Sequence, residues 1–588
     1  MTGGKNRQKL LNMVRATADH VQSQLAESLP MLKPFGRNAS VQAEPITSST
    51  PIMSRFLVIL ATLAALACFV LPSSASPVVA SSIRTSSTHA SSAPASTTDT
   101  VADDDLSGAC TALMRHITNK DGVLMEGDVP FQFVSVNVPN LLMIEDRPGM
   151  VGTWVLPTRY EVRDAIKTVS GLGGKVIRTF TLGFGEGQHV TGPTTFNGTA
   201  LGALDYALFF ARMYNVRLIL PLVNNAGQAY GGWDQYVRMF GSNLPKEAFF
   251  TDDNIVTGFK SLITTLLERV NPLTHIKYRD DPALMAIEIG NELGGWDEST
   301  PPVAWTRQIA EHIKKVSGNQ KLVINGVMGG TNSAQRWGWG KDQGENAKVD
   351  TLCDIYTNHY YYGEADVARM REDIELAASH KKNLLIGEFG FMSHTVMKSL
   401  LDVMKTHKQK KYVSGMLLWS LRFRAREGGF YKHNEDHGYM SYHLPGWPAD
   451  KEQGFNDDEL DVTKFLIDAA HEFSPERRGK FPLPDAPELR LLPGNKLTWR
   501  GSAWAVRYEI YRTTDVNVIT ASQDIKSEAA ELSAAWEKMA DLKDNRSAGS
   551  IDIPNIRPVG VVSYRMRAIA TDNATPSAWS DQITVRYN

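Results

Sequence analysis

Eight short apolar runs, each strand-like and separated by helical patterns, constrain this chain more than anything else in it. They are "FQFVSVNVP" (131–139), "KVIRTF" (175–180), "RLILPLVN" (217–224), "LMAIEI" (284–289), "KLVING" (321–326), "DIYTNHYY" (354–361), "NLLIGEF" (383–389) and "SGMLLWSL" (414–421). A strand buried on both faces reads as a near-continuous apolar run, and parallel sheets bury both faces because helical crossovers cover them. Helical periodicity fills the gaps. "TRYEVRDAIKTVSGLGG" opens with Thr158 and Glu161 in capping-box spacing and closes on glycines. "DYALFFARMYN", "NIVTGFKSLITTLLERV", "AWTRQIAEHIKKV", "ADVARMREDIELAASH" and "TVMKSLLDVMKTH" continue the series, and "DVTKFLIDAAHEF" follows the eighth run. Eight βα units in roughly 370 residues predict an α/β fold, a (β/α)8 TIM barrel with enlarged loops over 107–482. A doubly wound open sheet satisfies the same periodicity.

The flanks differ. After "FPLPDAPEL", the runs "KLTWRGS", "VRYEIYRTT", "VSYRMRAIA" and "DQITVRYN" alternate β-branched and aromatic residues between turn residues. Residues 483–588 are therefore expected to form an all-β sandwich, and "YEIYR" and "SYRMRAIA" resemble strands of a fibronectin type III domain. Upstream, 72–104 is mostly Ser, Thr, Ala and Pro. Such a stretch cannot bury a core, so 78–106 reads as a linker. The run "FLVILATLAALACFVL" (56–71) follows Arg55 and precedes "PSSASP", the order of a secretory signal with Ala75 as cleavage point. Residues 1–52 precede Met53 as an N-terminal extension. The segment 53–77 is then a signal peptide started at Met53, or a signal anchor holding the protein in a membrane through 56–71. Either way the remainder is expected outside the cytosol, secreted or anchored at the cell surface, and the sequons at Asn197, Asn545 and Asn573 fit a glycoprotein.

An apolar fraction of 42% and a charged fraction of 21% are those of globular protein. A net charge of -2 supplies no basic field for nucleic acid. Cys68, Cys110 and Cys353 form no metal or redox spacing, and a Cys110–Cys353 disulfide stays open. In "GFGEGQ" (183–188) the third glycine is in the wrong place for a phosphate loop and no helix or ribose-binding acid follows in register, and His433, His437 and His443 lie in what reads as a loop, so neither is taken as a cofactor or metal site.

The chemistry concentrates where the strands end, the catalytic mouth of such barrels. The second run ends in Arg178, the third in Asn224 and Asn225, and the fourth in Asn291 and Glu292. The sixth ends in His359 and Tyr361, the seventh in Glu388 and the eighth in Trp419. Two acids at one rim suit glycoside hydrolysis, in which one carboxylic acid protonates the leaving oxygen and one carboxylate attacks. Arg178 is expected to keep Glu388 ionised, and a dry site beside a negative neighbour to raise the pKa of Glu292. Glu288 is expected to be a structural partner of Arg178 or of a neighbouring strand. Trp233, with Trp154, Trp296, Trp337 and Trp339, is a candidate sugar platform.

These pieces, "VIRTF", "EIGNEL", "NHYYY", "IGEFG" and "LLWSL", resemble glycoside hydrolase family 5 of clan A. "LVNN" before "YGGWDQYV", and "RVNPLTHIKYRDDPALMAIEIGNEL", are similar to its β-mannanase branch. The resemblance implies a retaining hydrolase of β-1,4-mannosidic bonds, with Glu292 as acid/base and Glu388 as nucleophile. It implies a substrate-binding set of Arg178, Asn224, Asn291, His359, Tyr361, Trp419 and Trp233, a polysaccharide partner, and no metal or cofactor. Two departures stand out: Ala226 follows the Asn pair where an aromatic is common, and the loop "RFRAREGGFYKHNEDHGYMSYHLPGWP" is long. An exo-acting enzyme, another β-glycan, or a non-catalytic carbohydrate-binding protein are the alternatives.

Overall fold

The computed structural model describes residues 114–145, 154–225, 231–295, 300–330, 332–339, 350–514, 536–546 and 560–587. The N-terminal extension, the signal or anchor segment, the linker, Cys68, Cys110, Ala226 and Trp296 lie outside the described residues.

All eight predicted strands form: β1 Phe133–Val138, β2 Val176–Thr179, β3 Arg217–Pro221, β4 Leu284–Glu288, β5 Leu322–Ile324, β6 Ile355–Tyr360, β7 Asn383–Phe389 and β8 Val413–Leu418. Every neighbouring pair is parallel, and β8 pairs with β1, which closes the barrel and excludes the open sheet. The long helices are α1 Arg159–Leu172, α2 Gly202–Met213, α3 Asp253–Glu268, α4 Val303–Val316, α5 Glu364–Ser379, α6 His394–Thr406 and α7 Glu459–Phe473. The capping box on α1 is real: Thr158 N–H donates to Glu161 Oε2 at 2.7 Å, and Gly173 ends the helix in the left-handed region at φ 94°.

Two apolar layers hold the fold. A large one lies between strands and helices, including Val136, Val169, Leu208, Leu266, Ile309 and Leu400. A smaller one plugs the barrel near the strand starts, from Phe133, Val176, Ile219, Ala286, Ile324, Ile355, Leu385 and Leu417. Ile117, Leu124 and Phe131 cover that plug. Ile117 and Leu124 belong to an antiparallel sheet of Ile117–Lys120, Val123–Glu126 and Val129–Pro130, and Phe131 follows its last strand.

β7 carries a bulge that decides where its acid points. Asn358 on β6 opposes Ile386, but His359 opposes Glu388, so Gly387 is the extra residue. A Cβ there would sit 2.4 Å from Thr357 Oγ1 and 2.9 Å from His359 Nε2, so only glycine fits. Strict alternation from the inward Leu385 would turn Glu388 outward; the bulge turns it in.

The C-terminal region is antiparallel throughout: β9 Glu488–Leu492 pairs with β10 Lys496–Arg500. β11 Arg507–Thr513, β12 Glu537–Leu542, β13 Gly560–Ile569 and β14 Ile583–Tyr587 form a second sheet in the order β12-β11-β13-β14. Leu489, Leu497 and Trp499 from the first pack on Tyr508, Ile510, Tyr564, Met566 and Val585 from the second. Trp504 instead joins the barrel's core, its indole N–H donating to the Thr168 carbonyl at 3.1 Å. Gly171 on α1 leaves the room, since a Cβ there would lie 2.1 Å from the indole nitrogen.

Candidate active site

The strand ends converge on a buried guanidinium. Arg178, on β2 opposite Asn137 of β1, is fully buried and donates from Nε and Nη2 to both oxygens of Glu288, at 2.7 and 2.9 Å. A buried carboxylate is tolerable only when paired and hydrogen-bonded, and this fork supplies both. Glu288 is thus the structural partner the sequence suggested. Nη1 of Arg178 also donates to Glu388 Oε1 at 2.7 Å and to Asn137 Oδ1 at 3.2 Å, while Nη2 reaches Asn291 Oδ1 at 2.6 Å. Burial works against the charge on Arg178, yet Glu288 and then Glu388 more than restore it, and its pKa rises.

Glu388 receives a second donor, the Tyr361 hydroxyl at 2.5 Å. His359, the register partner of Glu388, places Nδ1 2.8 Å from Glu292 Oε1 and 3.2 Å from Glu388 Oε2. Ligand-capable atoms of Glu292, His359 and Glu388 all lie within 4.8 Å of one another, so the two carboxylates approach that closely. They are the one group of metal-ligating side chains among the described residues. A cation there would face the Arg178 guanidinium already bound to Glu388, an unfavourable pairing.

Glu292 sits at φ 51°, a left-handed conformation uncommon for a residue with a side chain and frequent at functional sites. Its side chain is 26% exposed and that of Glu388 is 5%. The pKa directions reverse the expectation. Burial pushes Glu388 up, and the charge of Glu292 adds to it, overcoming His359 and Arg178. Burial also pushes Glu292 up, but the hydrogen bond and charge of His359, with Arg178, carry it below the usual carboxylate range. The cause is geometric: His359 bonds more closely to Glu292, and Glu388 is the deeper of the two.

The acids open into a cleft of about 430 Å³, lined by Glu292, Tyr361, Tyr362, Glu388, Phe391, Trp419 and the loop residues His433, Asn434, Glu435 and His437. Trp419, just past β8, is held by Glu435, whose Oε2 accepts its indole N–H at 3.0 Å. Ser420 and Ser441 hydroxyls donate to the other oxygen of Glu435, at 2.9 and 2.5 Å. Phe391 stacks on Tyr361 with ring centroids 4.9 Å apart.

Of the predicted set, Glu292, Glu388, Tyr361 and Trp419 line the cleft, and His359 and Arg178 contact the acids from behind. Asn291 and Asn224 form a buried pair, Asn291 Nδ2 donating to Asn224 Oδ1 at 3.0 Å. Trp233 is corrected. It is 2% exposed and packs edge-on against Phe250 at 4.3 Å and Phe249 at 5.9 Å, so it is core and not a platform. Trp337 is likewise buried, and Trp339 stacks on His380 at 4.2 Å. His443 is buried against Glu459, apart from His433 and His437. Sequence reasoning missed Asn137, which a polar residue ending the first run could have signalled. It also missed Glu435, which no periodicity in a loop marks.

Residues 187–429 match a family model described as GH family 5 beta-mannosidase-like. Among curated relatives, mannan endo-1,4-β-mannosidase 2 of Arabidopsis thaliana is 27% identical over 328 residues, 48% of this chain and 74% of its own. Mannan endo-1,4-β-mannosidase 5 of the same plant is 26% identical over 374 residues, 54% of this chain and 84% of its own. A solved endo-1,4-β-mannanase from Rhizomucor miehei aligns with 61% of this chain and 99% of its own at 21% identity, with a TM-score of 0.46.

Proposed function

We propose that this chain, a member of glycoside hydrolase family 5 through its barrel, hydrolyses β-1,4-mannosidic bonds of mannan-type polysaccharides with retention of configuration. The observation that carries the reading is the approach of Glu292 and Glu388 to within 4.8 Å. Carboxyl groups roughly 5–5.5 Å apart suit double displacement, whereas inversion needs about 6.5–9.5 Å to admit a water.

In the first step Glu388 attacks the anomeric carbon while Glu292 gives its proton to the glycosidic oxygen. The bond to the leaving sugar breaks and a glycosyl ester forms on Glu388. In the second, Glu292 takes a proton from water, which attacks the same carbon and frees Glu388. Arg178 and Tyr361 hold the nucleophile's two oxygens separately, which fixes its orientation for attack. Arg178 also fixes the flip of the Asn291 amide by donating to its oxygen, leaving the NH2 end to donate. Trp419 offers an apolar floor for a pyranose ring.

Both acids lie within reach of His359. Double displacement needs Glu388 ionised and Glu292 protonated at the start of the first step, and the burial of Glu388 works against the first of these. Localisation follows the sequence: an enzyme outside the cytosol, secreted or held through 56–71. Among the described residues no helix is long and apolar enough to cross a membrane.

The test is digestion of mannan, glucomannan, cellulose and xylan by the full chain and by Glu388→Gln, with the products sized over time. Oligosaccharides from mannan that vanish with the variant are expected. Products from another glycan alone, or single sugars alone, would replace the mannan or the endo assignment. Cleavage unaffected by the variant would sink the mechanism.

A further inference from the structure

The long loop after β8 is clasped by the C-terminal sheets at one end and lines the cleft at the other. Its first hairpin bridges Arg424 to Phe430, and its second bridges Asn434 to Met440. Arg424 is fully buried, and its Nε donates to Asp544 Oδ2 at 3.0 Å, just past β12; Asp544 is fully buried too. Asp164 of α1 accepts the Arg424 backbone N–H through Oδ2 at 3.3 Å and lies 3.8 Å from its Nη1, and the guanidinium lies 4.5 Å over the Phe430 ring. Phe430 N–H then donates to the Arg546 carbonyl at 2.9 Å. Arg490 of β9 adds a third link, donating from Nη1 to the Arg426 carbonyl. Three residues after Phe430 the chain reaches His433, the first loop residue on the cleft wall, and two further on Glu435, which holds Trp419.

We infer that the C-terminal sheets position the cleft wall, with Asp544 as the positioning residue acting through Arg424 and the 424–430 hairpin on His433–His437 and Trp419. The sheets are on this view a fixed buttress of the sugar site, not a tethered module. Three features separate this from ordinary packing. The clasp is ionic and directional, it grips the loop that forms the wall, and Trp504 locks the same sheets against α1. Gly501 keeps the space clear, since a Cβ there would lie 2.2 Å from Asp544 Oδ2. Small displacements of substrate-positioning groups cost large factors in rate, so slack in the clasp should be read in the kinetics.

The kinetic half of the test rests on the mannanase reading; the exchange half does not. Full-length Asp544→Asn, Arg490→Ala and Val562→Ala are compared with the parent. Val562, in the sheets' own core, is a control that loosens the sheets without touching the clasp. Asp544→Asn is expected to raise KM for mannohexaose about fivefold with a smaller change in kcat. It should also speed amide hydrogen exchange across 424–437. Arg490→Ala should do both to a smaller degree, which keeps the test decisive if Asp544→Asn fails to fold. Val562→Ala should lower the melting temperature while leaving KM and that exchange unchanged. The inference is overturned if the folded clasp variants keep parental KM and exchange, or if Val562→Ala moves both equally. If no variant or parent cleaves a glycan, the exchange result alone decides the clasp.

Discussion

On β2, Val176 enters an apolar plug and Arg178, two residues later, enters an ionic network. β4 repeats the switch from Ala286 to Glu288, and β1 makes it over four residues from Phe133 to Asn137. The same inward row of the same strands thus builds two unlike layers about one turn of pleat apart. At the plug, side chains fill space and exclude water, and the energy is that of apolar burial. At the mouth, every charge is held by a partner across the barrel, and Asn137, Glu288, Asn291 and Glu388 all meet Arg178. The lesson is a division of labour along each strand. The plug makes the barrel stable, and its stability lets a costly polar layer be kept in register above it.

Substitutions at the two ends should separate stability from activity. Glu388→Gln keeps shape and removes the proposed nucleophile. It should cut kcat on the order of a thousandfold or more while the melting temperature holds or rises; an unchanged kcat would dissolve the distinction. Arg178→Met strips the shared partner from a buried network. It should cost about 3–5 kcal/mol in denaturant unfolding and abolish measurable turnover, because Glu288 and Glu388 lose their common cation. Leu385→Ala, at the plug end of β7, should cost about 3 kcal/mol with kcat/KM of the folded protein unchanged. A large kinetic effect there would show that the layers are not independent.

The smallest change is a pH shift. His359 lowers the pKa of both acids, by hydrogen bond and charge on Glu292 and by charge on Glu388. His359→Asn removes the charge, so both carboxyls should titrate at higher pH. The acid limb of kcat/KM, where the nucleophile must ionise, and the alkaline limb, where the acid must stay protonated, should both move up. Movement of either limb downward would contradict the electrostatics described here.

Much of this was legible in the sequence because burial on both faces writes itself as uninterrupted apolar runs. The eight strands, the seven long helices and the Thr158–Glu161 cap follow from periodicity and capping chemistry alone. The acids were legible because a lone carboxylate ending an apolar run has few structural uses. What escaped depends on contacts between distant segments. Whether Trp233 faces a sugar or Phe250 is decided by how the short helix Trp233–Arg238 packs, and both readings share one sequence. Glu435 and the Asp544 clasp lie in irregular segments, where no period marks a direction. The opposite pKa directions of the two acids follow from how deeply each is buried and from how closely His359 approaches each, which no motif encodes.

The central claim, that Glu388 attacks the sugar, is tested most directly by trapping the ester it would form. A 2-deoxy-2-fluoro-β-mannosyl fluoride slows both steps through its electron-poor ring, while its good leaving group lets the first proceed. The full chain would be incubated with it, digested, and the labelled peptide sequenced by mass spectrometry. The account predicts one fluoromannosyl group, on Glu388, and none on the Glu388→Gln variant. An adduct on Glu292 or elsewhere, or mannan hydrolysis by the same preparation with no adduct at all, would contradict it.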